Sequence, residues 1–159
     1  MDIINSKGEN NMQLFDERRI KSEKNTKGIK TLTKLIDLGY EQECYDCLKG
    51  LYNIILNTEH IIGNDGLLYS KFINKEENID NFICKFKDLL IKTTASGITK
   101  EILIEMIFCN YRLTVSTTEL NSRSGVIGQN NNNGISMYYN LNTIPESLKS
   151  EILNQIESI

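Results

Sequence analysis

Apolar residues recur three and four positions apart along most of the chain, the spacing that lines one face of a helix. Ile29, Leu32, Leu35 and Ile36 form one such stripe, and Gly39 just after Leu38 is a natural stop, because glycine takes the left-handed conformation that ends helices. A second helix is predicted from about Glu41 to His60, with Cys44, Cys47, Leu48, Leu51, Ile54, Ile55 and Thr58 on one face. Gly63-Asn64-Asp65-Gly66 predicts a turn, since these residues accept positive backbone angles, and a short helix is expected from Leu67 to Ile73. Asn74 with Glu77 three residues later predicts a capping box, opening a helix over 74–92 that carries Ile79, Phe82, Ile83, Phe86, Leu89 and Leu90. Thr93 to Gly97 ends it. From Ile102 to Cys109 every residue except Glu105 is apolar. A helix over 99–110 is favoured by Thr99 as a cap and by the leucine and methionine content, although a buried strand fits the same run.

The two ends of the chain read differently. Between Gln13 and Lys24 a charged helical turn or two is anchored only by Leu14, Phe15 and Ile20, and Asn25-Thr26-Lys27-Gly28 is expected to break it. After Tyr111 the period changes from helical to alternating. Leu113, Val115 and Thr117 alternate with polar residues, Ser122-Arg123-Ser124-Gly125 and Gln129–Gly134 are turn chemistry, and Ile135 to Leu141 is strand-like. A β-hairpin is expected at about 113–141, with Val126-Ile127 as a further short strand. Thr143-Ile144-Pro145-Glu146 predicts a second capping box, with proline in the first turn of a helix bearing Leu148, Ile152, Leu153, Ile156 and Ile159. The expected fold is mainly α (α+β): one compact helical domain over 12–159, a small antiparallel hairpin near the C-terminus and a docked C-terminal helix.

Composition adds constraints. The 159 residues are 40% hydrophobic and 25% charged, an ordinary globular balance for a chain long enough to bury its own core. Ile, Asn and Lys are abundant while Trp is absent and Pro occurs once, the bias of an AT-rich genome and an expectation of bacterial or phage origin. Residues 1–11 are expected to be a leader. Lys7-Gly8-Glu9-Asn10-Asn11-Met12, carried back through the genetic code, spells a purine-rich ribosome-binding site ahead of an AUG, which makes Met12 the expected start. No secretory signal pattern and no run of roughly 18 apolar residues is present, so a cytoplasmic protein without membrane contact is expected.

The net charge of −3 hides an asymmetry: between Asp16 and Lys34 seven basic residues face three acidic ones, so this stretch is +4 and the remainder −7. Such a basic arm fits first a solvated helix face, and second a contact with nucleic acid or an acidic partner.

Candidate chemistry is sparse. Cys44-x-x-Cys47 has the spacing of a zinc or thiol-exchange pair, but it falls inside an apolar helix face, as do Cys84 and Cys109. Four reduced, buried, structural thiols are expected; zinc would need the helices to bring all four together. His60 is the only histidine, expected at a helix C-terminus where it complements the dipole, and it has no partners for catalysis in the sequence. Gly125-Val-Ile-Gly128 lacks the context of a nucleotide-binding loop, and Asp65 lacks a calcium ladder. No cofactor, metal or catalytic residue is therefore assigned.

Two functions follow. The first is a non-enzymatic binding or regulatory protein that occupies the surface of a partner protein or nucleoprotein complex, with Tyr138 and Tyr139 as contact residues because tyrosine is enriched at interface hot spots. The second is a DNA-binding regulator resembling a winged helix in element order, with Thr114–Ser124 as its reading helix and the hairpin as its wing. Its nucleic-acid contacts would be Arg18, Arg19, Lys21, Arg112 and Arg123, with Ser116, Thr117, Thr118, Ser122 and Ser124 beside them. The strand propensity of Thr114–Thr118 opposes that helix. An enzyme ranks third.

Overall fold

The computed structural model describes residues 14–22, 27–115, 135–140 and 144–159, and only the backbone at 19, 21, 22, 110, 112, 114, 115 and 135–140. The described helices are α1 (Glu17–Ser22), α2 (Lys27–Asp37), α3 (Glu41–Leu56), α4 (Lys75–Thr93), α5 (Lys100–Ile107) and α6 (Glu146–Glu157). Two antiparallel hairpins accompany them: β1 (Thr58–Ile62) with β2 (Leu68–Phe72), and β3 (Asn110–Val115) with β4 (Ile135–Asn140). The fold is mainly helical α+β, with an antiparallel pair near the C-terminus and a C-terminal helix.

The centre of the domain is α3. It buries Cys44, Tyr45, Cys47, Leu48, Leu51, Tyr52, Ile54 and Leu56, a wider face than an amphipathic surface helix shows, because neighbours cover it on several sides. Its main partner is α4, whose Ile79, Phe82, Phe86 and Leu89 are buried at helical spacing. The two run against each other with Gly50 at the contact, where an added Cβ would stand 3.2 Å from Phe82 Cα. On another side α2 buries Ile29, Leu32 and Leu35 and crosses α5, which contributes Leu103, Met106 and Ile107. The C-terminal helix buries Leu148, Ile152 and Ile156 and is tied to the start of α4 by a Lys75–Glu151 ion pair at 3.2 Å.

Several predicted signals act as expected. Gly39 takes φ +97°, and Tyr40 N–H reaches back to Leu35 O at 2.9 Å to close the last turn of α2. Thr99 caps α5, its hydroxyl accepting from Ile102 N–H at 3.3 Å, so the apolar run is a helix and not a strand.

Other expectations need correction. Lys27 and Gly28 open α2, and Asn25 and Thr26 lie outside the described residues. Gly28 is there for space: a Cβ at this position would collide with Cys109 Sγ and stand 2.5 Å from Glu105 O. Asn74 makes no side-chain cap. It sits at φ 54°, ψ 41°, a left-handed conformation that turns the chain from β2 into α4 and that asparagine tolerates, whereas a capping side chain needs extended backbone. Pro145 precedes the first residue of α6 instead of lying within its first turn, and Thr143 lies outside the described residues. The strand β3 begins at Asn110, earlier than expected, because Tyr111 and Leu113 both point into the core. Phe15 bridges to Leu113, which brings the N-terminal segment onto this strand. The leader, Val126-Ile127 and the turn at 129–134 lie outside the described residues.

The space at Gly28 yields a prediction. Gly28→Ala should destabilise the domain by about 1–3 kcal/mol through overpacking, even though alanine is favoured over glycine in helices by up to ~1 kcal/mol. A urea midpoint equal to or above that of the parent chain would show that α2 and α5 can separate freely.

Candidate functional site

The largest departure from expectation lies at 58–73. The second helix stops at Leu56, not near His60, and the residues expected to form a short helix from Leu67 form a strand instead. Thr58, Ile61 and Ile62 are β-branched, and Tyr69 and Phe72 are aromatic, so both segments favour extended backbone. The turn between them decides the outcome. Gly66 N–H bonds to Gly63 O at 2.9 Å, Gly66 takes φ +80°, and Gly63 N–H closes the loop onto Leu67 O at 2.8 Å, a three-residue hairpin connection. Asp65 stiffens it. Its carboxylate accepts from Leu67 N–H at 2.9 Å and from the Tyr69 hydroxyl at 2.5 Å, and the Tyr69 ring lies over Gly63, where a Cβ would come within 2.6 Å. These bonds, the Tyr69 hydroxyl first, hold the Asp65 carboxyl below its ordinary range and raise the Tyr69 phenol, so the tip carries a negative charge at neutral pH.

This hairpin joins the end of α3 to the start of α4 and stands clear of the core. Apart from Thr58 and Phe72 at its base, every residue of β1 and β2 is exposed. The exposed side chains are apolar toward the tip: Ile61 41%, Ile62 70%, Leu67 60%, Leu68 64% and Tyr69 50%, with Ile73 at 38% beside them. The register pairs Ile62 with Leu68 on one face and Ile61 with Tyr69 on the other, so both faces are apolar near the tip. Nearer the base the pairs are polar, His60 with Ser70 and Glu59 with Lys71. An apolar patch of this size marks an interaction surface more often than ordinary exterior.

The residues assigned from sequence fall elsewhere. His60 lies in β1, not at a helix end, exposed and 3.3 Å from Ser70 Oγ. Arg18 is exposed on α1 and stands 3.9 Å from Asp16, while Arg19 and Lys21 lie on the same helix. Arg112 is in β3 opposite Tyr138, and Tyr139 is opposite Tyr111. Arg123 and residues 116–124 lie outside the described residues. Thr114 and Val115 belong to β3, so the reading helix expected from Thr114 does not begin there. Among the described residues α1, which carries Arg18, Arg19 and Lys21, lies against β3, which carries Arg112, while Arg123 lies outside the described residues. A separate cationic stripe, Lys27, Lys30 and Lys34, runs along the exposed face of α2, and Lys30, Thr33, Lys34, Asp37 and Leu38 border an open depression of about 380 Å³.

Among the described residues no three His, Cys, Asp or Glu side chains cluster to hold a metal, and no helix is long and apolar enough to cross a membrane. Cys44 and Cys47 are buried as expected, but Cys84 is exposed and Cys109 only half-buried. Cys84 follows the buried Phe82 by two positions, which turns it to the outer face of α4. Burial, with Glu43 and Glu41 adding to it, pushes the Cys44 thiol up to about 12, and burial likewise raises Cys47 well above its ordinary value of 9.0.

A raised thiol pKa stabilises the fold below the unfolded value and is lost as pH climbs toward the folded one. Stability should therefore hold up to about pH 9 and decline between 9 and 12. Iodoacetamide at pH 8 should modify Cys84 first and leave Cys44 and Cys47 untouched until the chain unfolds. Rapid native-state alkylation of Cys44 would contradict both statements. In comparisons with known proteins, no family model, no curated protein and no solved structure matches this chain.

Proposed function

We propose that this protein is a non-enzymatic binding protein that acts by docking on a partner protein, with the β1–β2 hairpin as its docking element. One observation carries the reading: an arm anchored at both ends by core helices presents apolar side chains on both faces near its tip. Covering both faces calls for a cleft or for added strands, and the charged Asp65 at the leading turn favours a basic or hydrogen-bonding floor over lipid.

The competing reading, a DNA-binding regulator, is supported by the exposed Lys27, Lys30 and Lys34 stripe and by the net positive stretch that contains it.

Ile62→Asp together with Leu67→Asp should leave the melting temperature within a few degrees, since neither side chain is packed, and abolish recovery of a partner that the parent chain retains from cells expressing it. Identification of that partner and reconstitution from purified components complete the test. Unchanged binding by the double variant removes the hairpin from the function. Duplex DNA should bind negligibly at low salt; tight binding that falls steeply with salt and is lost in Lys30→Ala/Lys34→Ala would establish the competing reading.

A further inference from the structure

We propose that the β2 edge of this hairpin pairs with the β2 edge of a second copy of the chain, across a two-fold axis at Ser70, to form a four-stranded antiparallel sheet. The proposal rests on the reading of the hairpin as a docking element and names what meets one of its edges. The hydrogen bonds at the two ends of the hairpin fix which groups are free. Gly63 N–H bonds to Leu67 O at 2.8 Å and Ile73 N–H to Asn57 O at 2.7 Å, so the bonded pairs between them are Ile61 with Tyr69 and Glu59 with Lys71. The backbone groups of Leu68, Ser70 and Phe72 therefore point away from β1, and no described strand pairs with them.

That edge is self-complementary. The segment reads Asp65-Gly66-Leu67-Leu68-Tyr69-Ser70-Lys71-Phe72-Ile73-Asn74-Lys75. Folding it about Ser70 sets Leu68 against Phe72 of the second copy on one face, apolar on apolar, with Leu67 and Ile73 flanking the strand ends. On the opposite face Tyr69 meets Lys71 of the second copy, an ammonium beside an aromatic ring. The three outward residues of each edge meet those of the other, giving about six backbone hydrogen bonds. The β1 edge offers nothing comparable: a two-fold at His60 sets His60 on itself and Glu59 against Ile61.

Strand number agrees with the pairing. A free two-stranded hairpin is marginal in water, whereas a four-stranded sheet supports itself. Lysine on an edge strand ordinarily blocks pairing; here the two-fold places Lys71 against Tyr69 instead of against its own copy.

Sedimentation velocity of the full chain over a concentration series should show a reversible monomer–dimer equilibrium. Ser70→Pro removes an N–H that the hairpin's own ladder does not use, so the monomer should keep its circular dichroism while two bonds on the axis are lost, weakening association by roughly a hundredfold. Ser70→Cys in a Cys84→Ser background should give a disulfide-linked dimer under mild oxidation, because directly opposed bonded residues stand about 5.5 Å apart at Cα. Glu59→Cys in the same background should not. A chain that is monomeric at every concentration, or a dimer that persists in Ser70→Pro without crosslinking through Ser70→Cys, overturns the pairing. A monomer whose partner capture still depends on Ile62 and Leu67 sinks the pairing alone and leaves the docking reading standing.

Discussion

The antiparallel contact between α3 and α4 is the constraint on which the rest of the molecule depends. Gly50 lets α3 approach Phe82 of α4 at a distance that a larger side chain would widen. The two helices that meet there hold Leu48, Leu51 and Ile54 on one side and Ile79, Phe86 and Leu89 on the other, half of the largest fully buried residues. Because the two helices are joined only by the β1–β2 hairpin, their contact also fixes where that hairpin leaves the body. The Asn57–Ile73 bond and the half-buried Phe72 close its base. Beyond them the arm is held by its own ladder and turn. The short Asp65–Tyr69 bond holds the turn where the core gives no support.

The second half of the chain is joined to this pair through polar groups in the core. Tyr111 is almost fully buried, and its hydroxyl donates to Met106 O at 2.6 Å and to Gly28 O at 3.4 Å; its own carbonyl accepts from the buried Tyr52 hydroxyl at 3.0 Å. Burial raises the Tyr111 phenol well above its ordinary value, so it stays a neutral donor. A buried hydroxyl without partners costs about 1–3 kcal/mol, and here each is satisfied by a backbone carbonyl from a different element. Four pieces, α2, α3, α5 and β3, are thereby placed relative to one another. Phe15 adds an edge-on contact to both Tyr45 and Tyr111, which anchors the N-terminal segment beside α1.

The helices were legible because burial on one side leaves a period that composition cannot hide. Leu32 and Leu35, Leu48 and Leu51, Phe82 and Phe86, and Ile152 and Ile156 all face the core where the spacing placed them. The C-terminal hairpin was legible through alternation. What the pattern could not yield was a sheet with no buried face. In β1 and β2 apolar and polar residues are sorted along the strands, tip against base, not face against face, so neither a helical nor an alternating period appears. The usable signal was local: a Gly-Asn-Asp-Gly turn between two five-residue runs rich in β-branched and aromatic residues. Asn74 misled for a related reason. Its sequence context is that of a cap, but its conformation is set by the need to reverse direction at the hairpin's exit. The tyrosines and arginines assigned from residue type carried no comparable geometric signal, because type alone does not say which of them converge.

The placement of apolar side chains on the arm also bears on how function and folding share the chain. Ile62, Leu67 and Leu68, the most exposed of the arm's apolar residues, add little to the stability of the isolated domain, and fully burying such a side chain is worth about 1.5–3 kcal/mol. Their substitution by polar residues would cost the monomer little, so folding does not account for their presence. In the core the opposite holds: Leu48 or Phe82 is fixed by close neighbours whatever the protein binds. The acid at the turn sharpens the contrast, since Asp65 stays charged among apolar flanks and makes non-specific burial of the tip unfavourable. If the arm docks as proposed, such a composition favours a surface that also receives a carboxylate over one that offers only apolar contact. Among the described residues burial is thus concentrated in the helices, and most of the exposed apolar surface lies on the hairpin that they hold away from themselves.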